Sequence, residues 1–254
     1  TRTGLSPKLA RHREEPMVEV HPDDAAALGL ANDGLARVAT PQGDTLFRVM
    51  VTDTQRPGEL FTPIHWTDQQ ATGGRIGLLA RSLTDPHSGQ PGFKSTPARI
   101  EPVSTEWRGF LLVHGDAEPP RCLWATKVTV PGGALWEVAG NCDPARLERA
   151  LPKGERIEAI DPARGMRRVA ILRDGRLAGV LFVTRTGGLP TRDWLIAQLR
   201  TTPGPAVLAG RAPGAQADRG AIVCVCFDIG LKTITSAIAT QGLVDVAAIG
   251  TALG

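Results

Sequence analysis

The stretch His21–Trp66, "HPDDAAALGLANDGLARVATPQGDTLFRVMVTDTQRPGELFTPIHW", decides the fold, because turn residues cut it into short, regular pieces. Asp23 and Asp24 follow Pro22 at the head of an Ala/Leu run, where carboxylates favour a helix N-terminus. Gly29 is suited to end that helix. "NDG" at 32–34 reads as a turn, "LARVAT" alternates as a strand, "PQGD" turns again, and "LFRVMV" is a second strand. "RPG" at 56–58 precedes a third, "ELFTPIHW". One short helix feeding closely spaced strands predicts a small β-barrel. A parallel α/β sheet would need long crossover helices.

Outward from this stretch the pattern changes. Residues 67–99 are glycine-rich and irregular, and long loops inside a compact unit tend to be functional or mobile. After "EPVSTEW" strand-like runs restart with "GFLLV", which predicts a boundary near residue 104. The next unit, 105–215, reads as α+β. "RCLWATKVTV" and "LWEVAG" flank the turn "PGG", and "DPARLERAL" has Asp143 as a helix cap with Leu147 and Leu151 four apart. "RRVAILRDGRLAGVLFVT" predicts a hairpin, with Asp174 and Gly175 suited to a type I′ turn. "TRDWLIAQLRT" predicts an amphipathic helix with Trp194, Leu195 and Leu199 on one side. "TTPGPAVLAGRAPGAQADRG" reads as a linker, and residues 216–254 form a cysteine-containing, helical tail.

Composition bounds the partners. The 254-residue chain is 42% hydrophobic and 22% charged, with 29 Gly, 20 Pro and no Tyr, as expected for a turn-rich β or α+β protein. A net charge of +3, spread along the chain, does not suit nucleic acid, which calls for a basic stripe, although it suits an anionic small molecule. No apolar run approaches the roughly 20 residues that cross a bilayer, and the first residues lack a signal peptide's apolar stretch. The expected compartment is therefore the cytoplasm. Residue 1 is not Met, and "DVAAIGTALG" stops within a helical pattern, so the chain reads as a fragment. The set of four cysteines, irregularly spaced, makes no disulfide framework. Cys224 and Cys226, as Cys-x-Cys on an extended backbone, would send both thiols to one face. Cys122 and Cys142 lack metal spacing and read as ordinary buried thiols. No Ser/His/Asp set, nucleophile elbow, P-loop or GxGxxG occurs, so no catalytic residue is assigned.

Several segments in order, "TRTG" at 1–4, "VEVHPDDAAALGLANDG", "ATPQGD", "PIHW" and "DPHSGQPGFKSTPARIEP", resemble the C-terminal molybdopterin-dinucleotide-binding domain of molybdenum oxidoreductases. The resemblance covers residues 1 to about 103. It implies a six-stranded double-psi β-barrel over residues 1–104, closing on a molybdenum bis(molybdopterin guanine dinucleotide) cofactor. A barrel followed by an α/β insert and a Cys-x-Cys segment resembles bacterial assimilatory nitrate reductases, which reduce nitrate to nitrite. "GAIVCVCFDIGLKTITSAIATQGLVDVAAIG" looks like the first half of a bacterioferritin-associated-ferredoxin-like [2Fe-2S] domain, in which Cys-x-Cys, two short helices and Cys-x-x-Cys follow one another. "DPARGMRRVAILRDGRLAGVLFV" looks like a segment of pyridine-nucleotide-linked nitrite and rubredoxin reductases, and implies structural spacing.

The resemblance also assigns residues. Thr1, Arg2 and Thr3 correspond to a segment that lies along the cofactor, with a frayed terminus as the other reading. Lys94, in "QPGFKSTP", stands where the family uses a lysine to reach the pterin. Gly77 stands where the family often has an asparagine, which removes an amide contact but leaves backbone open to close approach. His65 and Trp66 fall near the pterin and substrate funnel, or else Trp66 packs in the core and His65 bonds a turn. His21 is expected to order the turn before the helix. Cys224 and Cys226 would supply half of the four thiolates of a [2Fe-2S] centre, or form a metal-free pair. A [4Fe-4S] cluster and an electron donor protein or reductase subunit are expected of the intact enzyme, and the fragment alone is expected to be inactive. A related molybdenum enzyme such as a formate dehydrogenase, and a non-catalytic electron-transfer or binding module, are the alternatives.

Overall fold

The computed structural model describes residues 15–64, 66–72, 74–94, 96–186, 188–211, 219–224 and 229–253. Its first elements follow the punctuation read above. Strand β1, Met17–Val20, leads into helix α1, Pro22–Leu28. His21 caps that helix, its Nδ1 accepting the Asp23 N–H at 3.2 Å, and so has the ordering role expected of it. At the other end Gly29 takes φ 67°, and Leu30 N–H reaches Ala25 O at 2.8 Å. That left-handed cap costs glycine little.

Strands β2, Leu35–Thr40, and β3, Gly43–Val51, pair antiparallel through the two residues Pro41 and Gln42. With β4, Leu60–Phe61, and β5, Arg99–Val103, they form a five-stranded sheet in the order β4-β1-β3-β2-β5. β1 and β3 are parallel. No long crossover helix is needed, since α1 and the β2 hairpin together make the return. The third strand is shorter than its sequence suggests. "ELFTPIHW" pairs with β1 only at Leu60 and Phe61, and Pro63 follows, which has no N–H to continue a ladder.

The second sheet has six antiparallel strands: β6 Trp107–His114, β7 Trp124–Val130, β8 Gly133–Gly140, β9 Glu155–Asp161, β10 Met166–Arg173 and β11 Arg176–Thr184. Their order is β7-β8-β6-β11-β10-β9. Asp174 and Gly175 take φ 53° and 70°, as a type I′ turn requires. The runs "GFLLV" and "GVLFV" are apolar on successive residues because both faces of the sheet are covered. One face packs Leu111, Trp136, Val169 and Leu181 under Leu147. The other packs Phe110, Leu112, Val180 and Phe182 under Leu195, Leu199 and Val207, with Phe110 and Phe182 stacked at 5.0 Å.

Two covering segments differ from their sequence reading. "DPARLERAL" is a 3-10 turn, Pro144–Ala150, rather than an α-helix, although Asp143 does cap it by accepting the Ala145 N–H at 3.0 Å. Within the segment read as a linker, Pro205–Ala209 forms a 3-10 turn whose Val207 is fully buried. Burial of one apolar side chain outweighs the Pro/Gly composition there. Helix α2, Arg192–Gln198, buries Leu195 and partly buries Trp194 as expected, and Arg192 anchors it to Glu137 through bonds of 2.7 and 2.6 Å.

The chain divides into two compact units, Thr1–Gly210 and Arg211–Gly254. Inside the first, the two sheets share a core cluster of Leu35 and Leu46 with Trp124 and Ala139. Arg48 stands 4.6 Å over the Trp124 ring and donates to Glu15 at 3.0 and 3.2 Å. In the second unit β12, Ile222–Cys224, pairs antiparallel with β13, Ile229–Gly230, ahead of helices α3, Leu231–Gln241, and α4, Val246–Leu253. Among the described residues no single helix is long and apolar enough to cross a membrane.

The covering turn is held by charge as well as by Leu147. Glu148 accepts from Arg156 at 2.6 Å and from Arg167 at 2.5 Å. The Arg156 bond, opposed by desolvation and helped by Arg167, holds the Glu148 carboxyl below its ordinary value of 4.5. A depressed acid contributes stability that is complete above its unfolded pKa and is lost as pH falls through its folded one. Acid unfolding of Glu148→Gln should therefore be less steep than that of the wild type below pH 4.5. Superimposable acid limbs in a chemical-denaturation series would show that this carboxylate contributes nothing.

Candidate functional site

The segment between β4 and β5 carries most of the residues that the resemblance singles out. It leaves the first sheet at Phe61 and returns at Arg99. Trp66 is half-buried and packs against the first core, which Ile76 and Leu79 also enter. Those two residues flank Gly77 in a 3-10 turn, Ile76–Leu78, closed by Leu79 N–H to Ile76 O at 2.9 Å. Trp66 and the turn that carries Gly77 are thus anchored in one core. Gly77 itself is exposed, and a Cβ there would meet nothing within 4 Å. Its backbone is open to a ligand.

Beyond Leu79 the chain forms an exposed arm. Thr84 bridges Pro91, and Gly92 N–H reaches Leu83 O at 2.8 Å. Asp85 organises the tip, its Oδ1 accepting from the backbone of Ser88 at 2.7 Å, the Ser88 hydroxyl at 2.9 Å and the His87 N–H at 3.0 Å. These bonds, Ser88 first, hold its carboxyl below the usual range. Arg81 N–H bonds Thr96 Oγ1 at 3.3 Å and closes the base. "DPHSGQP" is therefore a self-supporting turn. Lys94 follows it, exposed, with no carboxylate partner among the described residues. Phe61, Ile64, Leu78, Leu83 and Phe93 along the same segment each keep about half their surface exposed, 47 to 58%.

Thr1, Arg2, Thr3, His65, Cys226 and the side chain of Cys224 lie outside the described residues. The Cys224 backbone ends strand β12 opposite Ile229, so the Cys-x-Cys run enters the connection between β12 and β13. Two short helices follow, as its sequence suggests. Among the described residues no group of three or more His, Cys, Asp or Glu could hold a metal ion. Cys122 and Cys142 are free and half-buried against the second core. Burial pushes the Cys122 thiol up to about 12, and its Sγ donates to Trp124 O at 3.1 Å. Both are packing residues.

Among the described residues, clefts lie elsewhere. One of about 340 Å³ is lined by Arg164, Arg168, Phe182 and Thr186, and another of about 570 Å³ by Gln69, Asp116, Lys127 and Trp136. Neither is lined by Trp66, Gly77 or Lys94. The sequence reading missed one feature of the site: residues 70–72 bond to strand β7. Nothing in the local sequence signals it, because the partner lies more than fifty positions away.

Residues 1–97 match the family described as molydopterin dinucleotide binding domain. The chain is 34% identical over 246 residues to a nitrate reductase of Klebsiella oxytoca, covering 94% of this chain and 28% of that protein. It is 33% identical over 101 residues to the assimilatory nitrate reductase catalytic subunit of Bacillus subtilis, covering 40% of this chain and 14% of that one. It is also 28% identical over 103 residues to the F420-dependent formate dehydrogenase 1 subunit alpha of Methanococcus maripaludis, covering 41% and 14%. The chain thus spans less than a third of the length of these relatives. Residues 1–97 thus match a molydopterin dinucleotide binding domain, and the chain as a whole is similar to part of a nitrate reductase.

Proposed function

We propose that this chain is the cofactor-binding C-terminal part of a molybdenum oxidoreductase of the assimilatory nitrate reductase kind, which reduces nitrate to nitrite in the cytoplasm. One observation carries the choice of substrate. Similarity to the Klebsiella oxytoca nitrate reductase runs through both sheets and the cysteine-containing unit, over 246 residues, whereas the formate dehydrogenase similarity covers 103. In this reading residues 1–104 are the pterin-binding double-psi barrel, 105–215 the insert, and 216–254 a [2Fe-2S]-binding segment. Cys224 and Cys226 ligate the cluster, and a [4Fe-4S] cluster and an electron donor protein belong to the whole enzyme.

The exposed segment fits a bis(molybdopterin guanine dinucleotide). Such a ligand presents phosphates and flat polar rings, and it needs an available cation, open backbone and apolar walls. Lys94 is an exposed cation, Gly77 has open space where a side chain would stand, and Leu78 and Phe93 expose apolar surface beside them. When bound, the cofactor supplies the molybdenum at which the oxygen atom is transferred. The chain's own part is to hold and orient it: Lys94 by charge, Gly77 by backbone approach, His65 at the edge facing substrate with Trp66 anchoring that edge in the first core, and Thr1, Arg2 and Thr3 along the dinucleotide.

The intact enzyme tests this. A charge-assisted bond to a bound anion is worth about 1.5–3 kcal/mol. Lys94→Ala should lower the molybdenum content of the purified enzyme about tenfold under limiting cofactor, and Lys94→Arg should recover part of it. The wild type should oxidise a reduced viologen dye with nitrate and not consume formate. Full metal occupancy in Lys94→Ala removes Lys94 from the site. Formate turnover without nitrate turnover overturns the substrate.

A further inference from the structure

Residues 70–72 sit between Trp66 and the Gly77 turn, yet beyond their local turn bonds they are tied to the second sheet. Lys127 N–H donates to Gln70 O at 2.6 Å, and Thr72 N–H donates to Ala125 O at 2.8 Å. Side chains reinforce the pairing. Ala125 N–H donates to Thr72 Oγ1 at 3.1 Å, and the Thr126 hydroxyl donates to Gln70 O at 3.2 Å. Ala71 forms an antiparallel bridge with Thr126, and the two are 1% and 0% exposed. β7 ends its sheet, and an edge strand offers unpaired N–H and C=O groups to whatever can match them. Here a short segment from the neighbouring sheet's loop takes those bonds.

The other end of the loop is held differently. At Gly74 a Cβ would lie 2.8 Å from Thr67 O and 3.0 Å from the Ala71 Cβ, so the chain turns back where only glycine fits. Ile76 and Leu79 then enter the first core. The loop has one anchor in each sheet. Without β7, residues 70–72 would keep only the local turn bonds of Gln70 and Ala71 N–H to Thr67 O and of Gly74 N–H to Ala71 O, and would sample more conformations.

We propose that strand β7 is a template that sets the conformation of residues 66–72 and 74–79, with Thr72 and Thr126 as positioning residues. The second sheet then has a function beyond spacing, since it shapes the loop that carries Trp66 and Gly77. The template itself stands on the hydrogen bonds alone. What the loop faces rests on the proposed cofactor site.

Hydrogen exchange on the full chain, with no cofactor added, tests the template separately. Thr72→Val keeps the branched shape and removes the acceptor of the Ala125 N–H. The amides of Thr72, Ala125 and residues 74–79 should exchange about tenfold faster, while those of β6 and β11 stay unchanged. Thr72→Ser restores the hydroxyl and should restore protection. Thr126→Val removes the hydroxyl that donates to Gln70 O, a second tie between the same segments, and should release the same loop amides. Loop exchange that does not respond to either variant, or no rescue by serine, overturns the proposal. Because no cofactor enters the measurement, its failure leaves the Lys94 experiment unaffected, and the reverse also holds.

Discussion

Replacing Trp124 with alanine is expected to lower the unfolding free energy by about 3–5 kcal/mol, in the range of large aromatic truncations in a core. Trp124 is fully buried where the two sheets meet, against Leu35 and Leu46 of the first and Ala139 of the second. Arg48 of β3 lies over its ring, and Arg48 in turn holds Glu15. Burial raises the Glu15 carboxyl pKa and Arg48 opposes that rise, so removing the indole disturbs a charged pair that is already short of water. The indole Nε1 is buried with no partner among the described residues. Trp124→Phe removes that orphan donor with most of the ring kept, and should cost clearly less than alanine. Guanidinium unfolding followed by circular dichroism measures both. Equal losses for Phe and Ala would show that the ring's volume is not what joins the sheets.

Gly109→Ala is expected to cost about 3 kcal/mol or more, an unusually large effect for adding one methyl group. Gly109 lies in β6, in the interior of the second sheet, opposite Val183 of β11 and Val138 of β8. A Cβ at that position would stand 2.2 Å from Phe182 O and 3.0 Å from the Val183 Cα. Both contacts are with backbone, so no side-chain rotation relieves them, and the ladder itself must open. Gly77→Ala is the matched control. Open space surrounds its Cβ position, and the change should stay within about 0.5 kcal/mol. Thermal unfolding of the two variants side by side reads the difference. A Gly109→Ala protein as stable as Gly77→Ala would mean that β6 and β11 are not paired in this register.

Much of the architecture was legible because its signals are local. The His21–Gly29 helix, the β2–β3 hairpin and the Asp174–Gly175 turn each depend on residues within a few positions of one another. "GFLLV" read as a new strand and "GVLFV" as one arm of a hairpin, and both are strands of the second sheet. The third strand was overread for a local reason, since Pro63 inside it ends the ladder after Phe61. Elsewhere local reading failed where a distant contact decided the outcome. Val207 folded part of an apparent linker because the second sheet offered it a place to bury. Asp143 capped the turn it was expected to cap, but the segment is a 3-10 turn whose Leu147 is buried against the second sheet.

The candidate site divides in the same way. Order and spacing of short segments in the first hundred residues were enough to point to a dinucleotide-binding domain, and the family match to residues 1–97 agrees. The amino-acid sequence alone therefore determined the local elements and the resemblance, because helix caps, tight turns and strand alternation are written in neighbouring residues. Tertiary structure alone decided that Trp124 joins the sheets, that Trp66, Ile76 and Leu79 meet at one core, and that residues 70–72 pair with β7. Those features are hydrogen bonds and burial between segments tens of residues apart, and such contacts exist only once the chain has closed on itself.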